Sequence, residues 1–175
     1  MKLGVISDTH RNKEYLENAV DWMIRKQHIA TLFHLGDDYE DVMDLADRYI
    51  EIIQVPGTYH PKYLDNSLPH KVFETIMGIT ICLMHALEKD YSKQDHTSAD
   101  IILYGHTHQS ELRLEDGVLF MNPGHCKGPL DKNLPPTFGL LDIQDKTLTA
   151  TIYDLKFEPV QKLEMLRLEN GLYKA

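Results

Sequence analysis

Cysteine is nearly missing from this 175-residue chain, with Cys82 and Cys126 the only two. So few thiols exclude a disulfide framework, and the expected home is a reducing cytoplasm. Positive charge is also scarce. Against 27 Asp and Glu stand 18 Lys and Arg, giving a formal net charge of -9. Proteins that grip a nucleic-acid backbone need a basic face, so no stable nucleic-acid complex is expected. No apolar run is long enough to cross a bilayer, and no membrane partner is expected. The opening MKLGVISDTH is apolar too briefly, and turns acidic too soon, to read as a signal peptide. Internal repeats, low-complexity tracts and visible linkers are missing as well, so residues 1–175 read as a single domain.

What remains is an ordinary globular composition, 42% hydrophobic and 26% charged, enough to bury a substantial core. Short apolar runs alternate with helical patterns. Strands are expected at Leu3–Ile6, Thr31–Leu35, Ile50–Val55, Gly78–Met84, Ile101–Tyr104 and Val118–Asn122. Leu16, Ala19, Val20, Met23 and Ile24 recur at helical spacing between Asn12 and Lys26. A second helix is expected over Tyr39–Tyr49, with Val42, Leu45 and Ala46 on one face. Glu88–Ser98 reads as a polar connection, and FGLLDI and TLTATIYDL flank a hairpin turn at Gln144–Lys146. The stretch from Val160 to Glu169 fits strand or helix, and Gly124–Thr137, rich in proline, reads as a long loop. Strand and helix in alternation argue for parallel pairing, hence an α/β layered architecture.

The chemistry collects just after the strands. Asp8 and His10 follow the first, Asp37 the second, His85 the fourth, and His106 and His108 the fifth. In a mostly parallel sheet these ends share one edge, where open α/β sheets bind ligands. Residues i and i+2 of an extended segment point the same way, so Asp8 with His10, and His106 with His108, are each expected to face one place. Carboxylate and imidazole donors suit Mn, Fe, Zn or Ni. Six of them exceed the need of one tetrahedral ion, and a pair of ions sharing a carboxylate uses them more naturally. His28 and His34 carry no motif and read as structural or exposed, while His70 and His96 read as solvated loop residues.

The ordered set D-x-H, G-D, P-G-x-x-x, strand-then-H and G-H-x-H resembles the calcineurin-like metallophosphoesterases. KLGVISDTH, YGHTHQ and MNPGH look like the compact bacterial and archaeal phosphodiesterase branch, to which the eukaryotic retromer scaffold subunit also belongs. The resemblance runs from Met1 to about Asp154. It implies a layered β-sandwich of two mixed sheets flanked by helices, with a dinuclear site at the strand ends. Asp8, His10 and His108 would hold one divalent transition-metal ion, and His85 and His106 the other. Asp37 would bridge them, with manganese foremost and zinc, iron or nickel as alternatives. Gly36 and Gly105 would let the backbone approach closely. His125, where relatives have serine, would reach substrate.

One motif departs from the pattern. After the third strand the chain reads VPGTYHP, with Thr58 in place of the asparagine that would ligate the second ion. Tyr59 replaces a common histidine, and His60 becomes the candidate helper, as a ligand or as the acid that protonates the leaving group. The implied function is metal-dependent hydrolysis of a small-molecule or nucleotide phosphoester, most readily a diester. Homo-oligomers are compatible with the sequence. The alternative is a weakly active or non-catalytic scaffold that kept the fold. Selectivity would reside in the loops Pro61–Ser67, Glu88–Ser98 and Lys127–Pro136.

Overall fold

The structure is a computed structural model and describes residues 1–175, Ala46 excepted. It contains strands β1 (Lys2–Ile6), β2 (Thr31–His34), β3 (Glu51–Gln54), β4 (Lys71–Ile76), β5 (Ile79–Met84), β6 (Ile101–Leu103), β7 (Glu111–Glu115), β8 (Val118–Asn122), β9 (Thr137–Ile143), β10 (Thr147–Asp154), β11 (Pro159–Leu168) and β12 (Gly171–Lys174). They form two mixed sheets. One runs β12-β11-β10-β9-β1-β2-β3, with β1, β2 and β3 parallel. The other runs β4-β5-β6-β8-β7, with β5, β6 and β8 parallel. The two sheets expected from the resemblance are therefore present. Among the described residues no helix is long and apolar enough to cross a membrane.

Alternation along the strands builds the layers. Leu3, Val5 and Phe33 meet Ile81, Leu83, Ile101 and Leu103 between the sheets. Ile6 and Leu32 point the other way, onto Leu16, Ala19, Val20 and Met23. Those residues belong to helix α1 (Lys13–Trp22) and the single π-helical turn Met23–Gln27 that continues it. Asn12 caps α1 by accepting from the Tyr15 N–H at 3.2 Å. On the outer face of the second sheet, Cys82, Met84, Ile102, Tyr104 and Phe120 make a third cluster. It lies beside the short helices α3 (Leu87–Asp90) and α4 (Lys93–Ser98), α2 (Pro61–Leu64) having come earlier. Both cysteines are buried and unpaired, and burial raises each thiol pKa to about 12.

Several expectations change. Tyr39–Arg48 winds as a 3₁₀ helix rather than an α-helix. A three-residue repeat eclipses i and i+3, which puts Val42 and Leu45 on one buried face. Ala46, assigned to the same face from the sequence, lies outside the described residues. The hairpin around Gln144–Lys146 is formed by β9 and β10, and the following segment is strand β11. Strands β4, β7 and β12 were not anticipated, and each lies at the edge of its sheet, where every residue but Leu172 stays at least partly exposed. His70, in the loop before β4, is part-buried rather than fully solvated. It stacks on Tyr63 with ring centroids 3.7 Å apart and donates from Nε2 to the Tyr63 carbonyl at 2.9 Å. His96 sits in α4 with its ring against Phe120.

Candidate metal centre

The ends of β1, β2, β3, β5 and β6 converge at one edge of the sandwich, as the parallel pairing requires. One oxygen or nitrogen from each of Asp8, His10, Asp37 and His108 lies within 4.8 Å of the others. His10 Nε2 is 3.1 Å from Asp37 Oδ2 and 3.2 Å from His108 Nε2. His108 Nε2 is in turn 3.2 Å from Asp8 Oδ1. Next to this group, His85 Nε2 is 3.2 Å from Asp37 Oδ1 and 3.2 Å from His106 Nδ1. Asp37 thus turns one oxygen to each group. All six residues singled out from the sequence are brought together, and His106 and His108 go to different groups.

The backbone that does this is not extended. Asp8, His10, Asp37, His106 and His108 have φ of 52°, 47°, 48°, 68° and 65°, in the left-handed region that non-glycine residues avoid. The i, i+2 argument for a common direction therefore fails for His106 and His108, because a turn separates their side chains. Such strain persists only where surrounding contacts hold it. Here Asp41 accepts from the Thr9 hydroxyl at 2.6 Å and from the Arg11 N–H at 2.8 Å, fixing the loop that carries His10. Asn122 donates to the Gly105 carbonyl at 2.9 Å and to Thr107 Oγ1 at 3.0 Å, fixing the loop that carries His106 and His108. A side chain at Gly36, whose φ is +97°, would bring its Cβ to 2.6 Å from His85 Nδ1, so that glycine lets the ring approach.

The imidazoles are oriented from behind. His85 donates from Nδ1 to the Leu35 carbonyl at 2.7 Å, leaving Nε2 as the lone pair that faces Asp37. His108 Nδ1 is 2.6 Å from Asp131 Oδ2, which points its Nε2 at Asp8. Glu88 Oε1 lies 3.3 Å from His106 Nε2. Histidine ligands of metals characteristically engage their other nitrogen in this way. Burial would raise the Asp37 carboxyl, but contacts to His10 and His85 hold it well below the usual carboxylate range. Burial likewise opposes charge on His85, and Asp37 with Asp8 outweighs it and raises its pKa. Asp8 raises His108 against the same burial.

A divalent cation fits this donor set. Asp8 Oδ1 is buried with no hydrogen bond of good geometry, and two pairs of imidazole nitrogens face each other at 3.2 Å. These are the atoms a cation satisfies. Thr58, in the place of the expected asparagine, is buried with its hydroxyl unpartnered.

Two further sequence candidates make contacts of their own. His60 lies on the wall of the adjoining cleft, where its Nδ1 accepts from the Lys62 N–H at 3.2 Å and its Nε2 donates to Glu40 at 3.1 Å. It caps α2, and neither nitrogen is hydrogen-bonded to one of the six converging residues. His125 is fully buried, donating from Nε2 to the Leu134 carbonyl at 3.0 Å and accepting at Nδ1 from the Lys127 N–H at 3.2 Å. It supports the loop behind His108 and does not reach the cleft. A histidine can be satisfied by backbone alone, and no sequence signal reveals it.

Conversely, the sequence did not disclose Asp131, Asp41, Glu88 or Arg11. Only Arg11 carried a hint, standing next to the D-x-H motif. Asp131 is held by Lys127 Nζ at 2.8 Å as well as by His108, and both depress its pKa. Replacing Asp131 by alanine is expected to weaken metal binding by about 10- to 100-fold. Calorimetric titration with manganese checks this, and an unchanged affinity would show that the His108 contact is incidental.

Comparison with known proteins agrees with this fold. Residues 1–146 match the model of the calcineurin-like phosphoesterase superfamily domain. Phosphodiesterase MJ0936 of Methanocaldococcus jannaschii is 25% identical over 161 residues, covering 83% of this chain and 95% of that protein. Among solved structures, YfcE, a phosphoesterase from E. coli, aligns with a TM-score of 0.70 at 20% identity, over 93% of this chain and 98% of that one. A Vps29 single mutant from Entamoeba histolytica aligns with a TM-score of 0.70 at 24% identity, over 96% of this chain and all of the other.

Proposed function

The chain belongs to the calcineurin-like phosphoesterase superfamily, whose members use divalent metals, and we propose that it is a metal-dependent phosphodiesterase. The observation that carries this reading is the sharing of Asp37 between two groups of ligands, with Oδ2 3.1 Å from His10 and Oδ1 3.2 Å from His85. Asp8, His10, Asp37 and His108 would hold one divalent ion. Asp37, His85 and His106 would hold the other, with the Thr58 hydroxyl as an added oxygen. Manganese is the first expectation. Ions held there would polarise phosphoryl oxygens and lower the pKa of a water, the chemistry that in-line attack on phosphorus needs.

The protein's own part is placement. Leu35 and Asp131 keep the His85 and His108 lone pairs aimed inward, and the left-handed turns hold the carboxylates against them. His10 and Asp37 open on a cleft of about 490 Å³, whose wall includes Arg11. Arg11, the one lysine or arginine among the residues lining that cleft, is tied through Nε to Asp38 at 2.9 Å, and Glu40 lies on the same wall, so the lining itself leaves no lysine or arginine free for a dianion. A monoanionic diester is the better match.

The test is hydrolysis after chelation and metal add-back. Bis(4-nitrophenyl) phosphate should be turned over only with added manganese or another transition metal. Its kcat/KM should exceed that of 4-nitrophenyl phosphate by about tenfold, or 1.4 kcal/mol in transition-state binding. A tenfold preference for the monoester would overturn the diester assignment. No turnover with any metal would favour a scaffold that keeps the fold without catalysis.

A further inference from the structure

The ligand groups say where a phosphoryl group would sit, and the wall of the cleft says what the rest of the substrate is. We propose that Tyr59 is a stacking platform and that the diester is a nucleoside phosphodiester, with its base lying on the Tyr59 ring. This rests on the phosphodiesterase reading and adds a substrate class to it.

The loop after β3 sorts its side chains by destination. Thr58 is buried, and His60 is engaged through both nitrogens. Between them Tyr59 is 76% exposed, yet it lines the same cleft as His10 and Asp37. The His60 N–H donates to the Gly57 carbonyl at 3.0 Å, and Pro56 and Pro61 flank the turn, so the ring is presented on a stiff support. A rigid platform loses little entropy when a ligand covers it.

What touches the ring is informative. Lys89 Nζ lies over it, 5.2 Å from its centroid. The cation comes from α3, the same short helix whose Glu88 contacts His106. The platform therefore sits beside a positive charge and a cation-binding centre, the combination that suits a planar group carried on an anion. Proteins bind nucleotide bases this way without reading their edges, by stacking on an aromatic face while cations hold the backbone. The cleft volume of about 490 Å³ falls in the range of small-molecule sites, roughly 300–1,000 Å³. A methyl ester would leave the ring uncovered.

The experiment compares thymidine 5′-(4-nitrophenyl phosphate) with methyl 4-nitrophenyl phosphate, which share a leaving group and differ only in the other ester. The manganese-loaded protein should favour the thymidine compound by about tenfold in kcat/KM. Tyr59→Ala should lower that rate about tenfold and the methyl rate less than about twofold, while Tyr59→Phe should keep the preference. Thymidine 5′-monophosphate should bind the wild type at least about fivefold tighter than Tyr59→Ala in an equilibrium titration. Equal use of both diesters, or an equal fall of both in Tyr59→Ala, would overturn the platform. If neither diester is turned over, the phosphodiesterase reading fails, and the monophosphate titration still decides the platform separately.

Discussion

Asp37→Ala should abolish metal-dependent hydrolysis, with a loss of about 10³-fold or more. The metal ions are expected to supply several kcal/mol of transition-state stabilisation, and each 1.4 kcal/mol is tenfold in rate. Asp37 is the one side chain with an oxygen in each ligand group. Its removal takes an anion from both positions and leaves His10 and His85 facing no carboxylate oxygen at that point. Metal content should fall together with rate, because ligand groups bind cooperatively with the ion they hold. Metal analysis of the purified variant, alongside its rate at saturating manganese, checks both. A variant with wild-type rate and wild-type metal stoichiometry would refute the shared-carboxylate arrangement.

Acid should destabilise the protein through His34. This residue ends β2, is fully buried, and has no hydrogen-bond partner at either ring nitrogen. Its neighbour in register on β3 is Gln54, whose Oε1 is also unpartnered. Burial pushes the His34 pKa down to about 4. The unfolded chain binds a proton near pH 6.5, so between about pH 6.5 and 4 it holds more protons than the folded chain. Stability is therefore fully present above that window and is lost as pH falls through it, by about 3 kcal/mol. Urea unfolding in chelator at pH 7 and pH 4 should show the wild type losing about that much more than His34→Gln. Equal losses in the two proteins would mean that His34 takes up its proton without cost.

Legibility in the sequence followed burial. The strands at the centre of each sheet are apolar on both faces and could be read as continuous runs, as with Leu3–Ile6 and Ile101–Leu103. The edge strand β7, Glu111–Glu115, has one partner and partly exposed side chains, and it was missed. The convergence of the six residues was readable because parallel topology sends every strand end to the same place, whatever the loops do. Their orientation was not readable, since it depends on left-handed turns at ordinary residues such as Asp37 and His106. Asp131 was invisible for a related reason. It reaches His108 across 23 residues of sequence, through a loop that carries no periodicity. The contacts of His60 and His125 were not readable because their partners are backbone groups and a glutamate, which any loop can offer.

The carboxylate of Asp8 divides its work between two oxygens, and this bears on how such a chain could change over time. Oδ2 accepts from Ser7 Oγ at 2.5 Å and from the His106 N–H at 3.0 Å, so it stitches the end of β1 in one sheet to the end of β6 in the other. Oδ1 is left facing His108. His85 makes a second stitch, from β5 to the Leu35 carbonyl beyond β2. The same side chains that would hold cations are thus the polar seam between the sheets. A descendant freed from any need to cleave phosphoesters would still be penalised for losing Asp8 or His85, because the seam would open and strand buried donors. Drift should therefore erase the platform at Tyr59 and the support from Asp131 long before it reaches these two residues. Within this architecture, the outer residues are the more sensitive record of whether a chain still works as a catalyst.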